Sequence, residues 1–328
     1  MTWDALLDKL ARDRTSGAQE LTRLVSLLLS RYLREERANR GSTEGLLLVT
    51  RRILDAQPAM APIITVLNHL WLKLEQVDDS DAVRAAAAAE LDGMSLETEL
   101  RLDRLAEACS DRLTEGSTVL AFSYSSTVLR ALLAAHEAGK GIRVICSEGR
   151  PASEGIRLAE ALAAAGVPVD LCVDAALPSL VAEADSVLVG ADAVVEAGVI
   201  NKIGTYPLAL AANATGRPFY FAASLDKLLP PSLVPLLRIP DRPPEEIWEA
   251  RHESLHVRNR YFEITPLDLI TGLITEVGFW SRRKLRPALL KAPVSTALAG
   301  LAQEAAAAAN TKALNTQSLR GSEATDAI

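Results

Sequence analysis

At 328 residues the chain exceeds a usual single core, so two domains are expected, each long enough to bury a sizeable interior. Hydrophobic residues at 49% and charged residues at 23% are the balance of a folded globular protein and exclude a disordered or fibrous chain. A formal charge of -7 disfavours the broad basic surface that direct nucleic-acid binding needs, although it leaves room for a small basic pocket.

The opening MTWDALLDKLARDR carries acids in its first turns and no apolar h-region, so it does not read as a secretory signal. Apolar runs such as 85–89 and 187–191 fall far short of the roughly 20 residues a bilayer-spanning helix needs, so no membrane association is expected. Cys109, Cys146 and Cys172 are widely spaced in apolar contexts. That supports neither a disulfide framework nor a zinc site, and it fits a reducing, cytoplasmic setting.

From 3 to about 112 the apolar residues recur at helical spacing, as in Leu21, Leu24, Val25, Leu28 and Leu29. After Gly116 the pattern changes to short apolar runs, predicting strands at 118–122, 143–147, 167–173, 186–189 and 218–222, most of them buried on both faces. Amphipathic stretches of about ten residues or more separate them, which implies βαβ crossovers and a parallel sheet. Functional loops then follow Phe122, Cys146, Val173, Val189 and Ala222 at the strand carboxyl ends. The expected α/β architecture is an N-terminal helical domain (1–112), a Rossmann-like parallel-sheet domain (113–300), and a loosely ordered tail (301–328) whose polar end lacks apolar periodicity.

The segment 187–223, VLVGADAVVEAGVINKIGTYPLALAANATGRPFYFAA, is the richest in chemistry. A buried strand ending at Gly190 leaves Asp192 in a carboxyl-end loop, where it can face a ligand. Asn201 and Lys202 precede Gly204 and Thr205, with Thr205 read as the cap of the next helix. Free N–H groups at that helix start, with Lys202 beside them, would suit a phosphate. On single-residue chemistry alone, the same residues could instead form loop hydrogen bonds with Lys202 solvated. The pair His252 and His256 could meet on one helix face, but without a third ligand a solvated or capping role is expected and no metal site. No G-x-G-x-x-G fingerprint or P-loop is present, and no cofactor is expected.

GAD followed by NKIGT and a PFY strand resembles the family that groups the alpha, beta and delta subunits of translation initiation factor 2B with the methylthioribose-1-phosphate and ribose-1,5-bisphosphate isomerases. CSEGRPASEG is similar to that family's E-x-R-P-x-x-x-G loop, and 262–278, FEITPLDLITGLITEVG, to its terminal segment. The resemblance implies that Asp192 is a catalytic acid/base, that Asn201 and Lys202 touch a substrate, and that Arg150 contacts a phosphate. It also implies a phosphorylated sugar or nucleoside as ligand and a homodimer formed through the sheet domain.

The chain departs from the isomerase pattern where the chemistry is decided. Ser123 stands in VLAFSYSSTVL where the isomerases carry a catalytic Cys. A hydroxyl is too weak an acid to share protons at neutral pH unless a base sits beside it, and Cys146 is a candidate to compensate. RTSGAQEL lines up with the family's R-G-A loop and makes Gly17 a candidate substrate contact, with Ser16 where the substrate-binding Arg would stand and Arg14 two residues away. QPAMAP around Gln57 resembles a segment that has lost its Arg. Two readings follow: an aldose-ketose isomerase of a sugar 1-phosphate with Asp192 as proton shuttle, or a non-catalytic regulatory or assembly subunit like those of factor 2B.

Overall fold

The computed structural model describes residues 1–13, 17–35, 43–77, 80–249 and 252–323, of which 80–84, 92–97 and 312–323 by backbone alone. Five helices come first: α1 (Trp3–Arg12), α2 (Ala18–Glu35), α3 (Thr43–Ala56), α4 (Ala61–Leu74) and α5 (Ser80–Asp111). Thr2 caps α1 by accepting from the Ala5 N–H at 3.3 Å, with Asp4 in the first turn and Lys9 and Arg12 in the last, the charge order a helix dipole favours. The spacing read in α2 is the buried face: Leu21, Val25, Leu28 and Leu29 are buried and Leu24 packs against them. Helix α5 joins the layers, with Ala87 and Leu91 in the helical core and Leu105, Ala106 and Cys109 in the core of one sheet face.

The second half runs β1 (Thr118–Leu120), α6 (Ser126–Glu137), β2 (Arg143–Ser147), α7 (Glu154–Ala164), β3 (Val169–Cys172), β4 (Ser186–Gly190), β5 (Ala193–Val195), β6 (Gly198–Lys202), α8 (Thr205–Thr215), β7 (Phe219–Ala222), β8 (Phe262–Thr265), β9 (Gly272–Thr275), β10 (Gly278–Ser281), α9 (Arg282–Lys291) and α10 (Thr296–Glu323). Seven strands form one sheet in the order β10-β9-β7-β4-β1-β2-β3, parallel except for β10, so the fold is α/β as the sequence predicts. The chain leaves β1 toward β2 and β3 on one side and adds β4, β7 and β9 on the other. The reversal of strand order between β1 and β4 opens a crevice above their carboxyl ends, where open α/β sheets hold ligands.

Two features differ from expectation. Strand β3 is a sheet edge rather than a buried strand, with Asp170 and Leu171 exposed. A second, antiparallel sheet, β5-β6-β8, was not predicted, and it carries Asn201 and Lys202 on a fully buried strand instead of in a loop. Helix α10 continues past Gly300 to Glu323, with Leu301 and Ala302 buried against the helical core. Alanine's high helix propensity, together with that apolar contact, accounts for the continuation. His252 and His256 lie exposed in an irregular segment, not on a helix face. Among the described residues no group of three or more His, Cys, Asp or Glu could hold a metal, and no helix is long and apolar enough to cross a membrane.

Gly155 shows how tightly the site's scaffold is built. A Cβ at this position in the first turn of α7 would lie 1.9 Å from the Ser147 carbonyl oxygen at the end of β2. Backbone atoms cannot yield as a side chain would, so Gly155→Ala is expected to cost about 2 kcal/mol or more. The check is a lowered urea midpoint with the far-UV circular dichroism unchanged.

Candidate functional site

A cleft of about 480 Å³ opens over the carboxyl ends of β1 and β4, between the start of α2 and the sheet. Ser123, Asp192, Asn201, Lys202 and Gly17 all line it; Arg150 does not. The Arg150 side chain is exposed, and its backbone N–H donates to Asp174 Oδ2 at 2.6 Å while Gly149 N–H donates to Oδ1 at 2.8 Å, so this loop is pinned to Asp174. Arg157, one turn into α7, is the guanidinium of this segment that lines the cleft, 4.7 Å over the Tyr124 ring.

Ser123 takes φ 62° in the turn after β1, a conformation rare for a residue with a Cβ. Its hydroxyl donates to Glu154 Oε1 at 3.0 Å. Lys202 Nζ lies 2.5 Å from the same oxygen and 4.3 Å over the Tyr261 ring, with its side chain 4% exposed. Glu154 Oε2 is buried without a hydrogen-bond partner among the described residues. Ser123, Glu154 and Lys202 therefore make one connected polar group.

Asp192 sits between β4 and β5, its backbone N–H donating to the Ile200 carbonyl at 2.9 Å. Gly190 lets β4 end against the loop after β1: a Cβ there would meet the Ser125 Cβ and Oγ at 2.7 Å. The Asp192 carboxyl makes no hydrogen bond to the described residues. Burial raises its pKa above the usual carboxylate range, Lys227 and Lys202 pull it down, and Glu154 pushes it up again. Lys227, in the 3-10 turn Leu225–Lys227, donates to the Ala191 carbonyl beside it.

The anion site expected at the start of α8 is already filled from within the protein. Gly204, at φ 106°, is the cap, and Thr205 is the first helical residue. Gly204 N–H and Tyr206 N–H both donate to Glu263 Oε1, at 2.7 and 2.8 Å, so a carboxylate of β8 takes the place proposed for a phosphate. The Thr205 hydroxyl donates to the Lys202 carbonyl at 2.6 Å and accepts from Asn201 Nδ2 at 3.0 Å, fixing the strand end that carries both site residues.

Cys146 does not compensate for Ser123. It is fully buried outside the cleft lining, and burial pushes its thiol up to about 12. Gln57 is also structural, its amide donating to the carbonyls of Leu10 at 2.6 Å and Asp13 at 3.0 Å, where it closes the end of α1. Arg14 and Ser16 lie outside the described residues. Sequence reasoning missed Glu154, Arg157, Lys227, Arg242 and Tyr261, all of which line the cleft. Of these, Glu154 sits inside the CSEGRPASEG stretch, where a carboxylate three residues before Arg157, one helical turn away, was the available signal.

This arrangement can hold an anion with Arg157, Arg242, Lys227 or Lys202 and can move a proton through Asp192 or the Ser123-Glu154 pair. The chain is 31% identical over 266 residues to a ribose 1,5-bisphosphate isomerase of Methanocaldococcus jannaschii, covering 80% of this chain and 83% of that one. It is 30% identical over 277 residues to a translation initiation factor eIF-2B subunit 2-like protein of Pyrococcus furiosus, covering 83% and 94%. The structure of the Pyrococcus horikoshii translation initiation factor eIF-2B superposes with a TM-score of 0.69 at 26% identity, covering 84% of this chain and 96% of that one. Sugar-phosphate isomerases and eIF-2B subunits are thus both among its relatives, and the family model described as the initiation factor 2 subunit family matches residues 5–282. The chain belongs to the initiation factor 2 subunit family.

Proposed function

We propose that the cleft binds a phosphorylated sugar and interconverts the aldose and ketose forms of a sugar 1-phosphate, with Asp192 as the proton shuttle. The observation that carries this reading is the Asp192 carboxyl: raised by burial, free of protein hydrogen bonds among the described residues, and facing a cleft that also offers Lys227, Arg157 and Arg242 to a phosphate. A carboxyl whose pKa is raised by burial, when protonated, can give its proton to the ring oxygen as the C1–O bond opens. The resulting carboxylate can take the proton from C2 and return it to C1. The C2 hydroxyl must then lose its proton. Ser123 is placed to accept it while passing its own to Glu154, which answers the missing thiol with a hydroxyl beside a base. Four proton transfers leave the sugar's composition unchanged, and proton exchange between Glu154 and Asp192 through water restores the starting state.

The test is conversion of ribose 1,5-bisphosphate and 5-methylthioribose 1-phosphate by the purified chain. Turnover is expected on at least one of them, with Arg157→Ala raising KM about 10-fold and changing kcat less, as loss of a phosphate contact does. Ser123 in place of the thiol favours the second reading, a non-catalytic family member. Ligand-induced thermal stabilisation without turnover would establish that one.

A further inference from the structure

We propose that Glu276 is a positioning residue for the cleft: from the end of β9 it holds the 3-10 turn that presents Lys227 to Asp192, an inference that rests on the reading of Asp192 as the proton shuttle. Glu276 is only 8% exposed and does not line the cleft, so contact with a ligand does not account for a carboxylate buried there at a cost in solvation. Both of its oxygens accept from the Leu225 N–H, Oε1 at 3.2 Å and Oε2 at 3.1 Å. Leu225 opens the turn Leu225–Lys227, and a first N–H has no partner inside such a turn. The charged groups facing Glu276, among the described residues, are Asp226 of the same turn, which disfavours its ionised form, and Arg101 of α5, which favours it.

The sheet itself brings donor and acceptor together. Ala222 of β7 stands beside Ile274 of β9, and the Ala223 N–H donates to the Ile274 carbonyl at 3.0 Å. Leu225 lies two residues beyond Ala223 and Glu276 two beyond Ile274, so two adjoining strand ends deliver them. The Thr275 hydroxyl donates to the Gly278 carbonyl at 2.7 Å and closes the turn into β10, which keeps Glu276 at its strand end. Past the 3-10 turn the Leu229 N–H donates to the Val194 carbonyl of β5 at 2.9 Å. Lys227 is therefore held between an anchor on β9 and one on β5, and its ammonium donates to the Ala191 carbonyl next to Asp192. Burial raises the Asp192 pKa, and Lys227 is the foremost group opposing that rise. A turn released by Glu276 would let the lysine move toward water and leave Asp192 harder to ionise. Loss of the Glu276 charge alone would act the other way, because it removes a negative neighbour.

The test is carbon-13 NMR of the full chain labelled in aspartate, without ligand, with the Asp192 carboxyl resonance identified by its loss in Asp192→Asn. Glu276→Ala is expected to raise the titration midpoint of that carboxyl by about one pH unit, the low end of what a neighbouring opposite charge is worth. Lys227→Met is expected to raise it as much, and the two changes together no further. Glu276→Gln keeps an acceptor for the Leu225 N–H and is expected to leave the midpoint at or below that of the parent. Should Glu276→Ala fail to fold, Glu276→Asp keeps the charge, shortens the reach by one methylene and is expected to shift the midpoint upward in its place. The proposal is overturned if the midpoint stays or falls in the variant that breaks the anchor, or if Lys227→Met leaves it unmoved. It is equally overturned if Glu276→Gln raises the midpoint as Glu276→Ala does, or if the rise is undiminished when Lys227 is already replaced. The midpoint is read without turnover, so a chain inactive on every sugar phosphate would remove the proton-shuttle reading and leave the link from Glu276 through Lys227 to Asp192 standing.

Discussion

Asp192→Asn is expected to reduce turnover of the sugar phosphate by about 10²- to 10⁴-fold, the usual worth of a positioned general acid/base, while ligand binding persists. Equal activity in parent and variant would remove Asp192 from the chemistry. The same substitution has a stability signature that needs no substrate. Because the folded-state pKa of Asp192 is raised above its unfolded value, the folded protein binds this proton more tightly than the unfolded chain does. Its contribution to stability is fully present below the unfolded pKa and is lost as pH rises through the folded one. An amide has no such dependence, so the melting temperature of D192N relative to the parent is expected to rise between acid and neutral pH. A difference that stays flat with pH would contradict the burial-driven shift.

Lys202→Met is expected to be the most destabilising single change in the cleft, at about 3 kcal/mol or more. The ammonium is buried and 2.5 Å from Glu154 Oε1, so removing it leaves a carboxylate with one oxygen already unpartnered and the other holding only the Ser123 hydroxyl. The double variant Lys202→Met/Glu154→Gln removes the uncompensated charge as well and is expected to recover much of the loss. A double-variant cycle by urea denaturation measures this coupling. Simple additivity of the two changes would mean that the pair is not what holds the strand end in place. Both outcomes also bear on the chemistry, because Glu154 is the base that would make Ser123 useful.

The stretches whose chemistry is local could be read from the sequence. Apolar runs bounded by turn residues located the strands that became β2, β4 and β7, and helical spacing in 3–112 located the buried faces of the first helices, because burial acts on each residue in turn. The βαβ order made the sheet parallel and put Ser123 and Asp192 at neighbouring strand ends. Pairings between distant residues could not be read in this way. Asn201 stands opposite Glu263, and nothing within β6 announces β8 as its partner.

The sequence by itself determined the fold class, the family and five of the residues that line the cleft, since motif and hydrophobic period are properties of a few consecutive positions. Only the tertiary structure decided what each of them meets. It brings Glu263 onto the start of α8, closing that helix to an outside anion, and it turns Arg157 rather than Arg150 into the cleft. It also sets Glu154 against Ser123 and Lys202. A residue's charge is written in the chain, but whether that charge is neutralised, buried or left to receive a ligand depends on groups that folding carries in from far along the sequence.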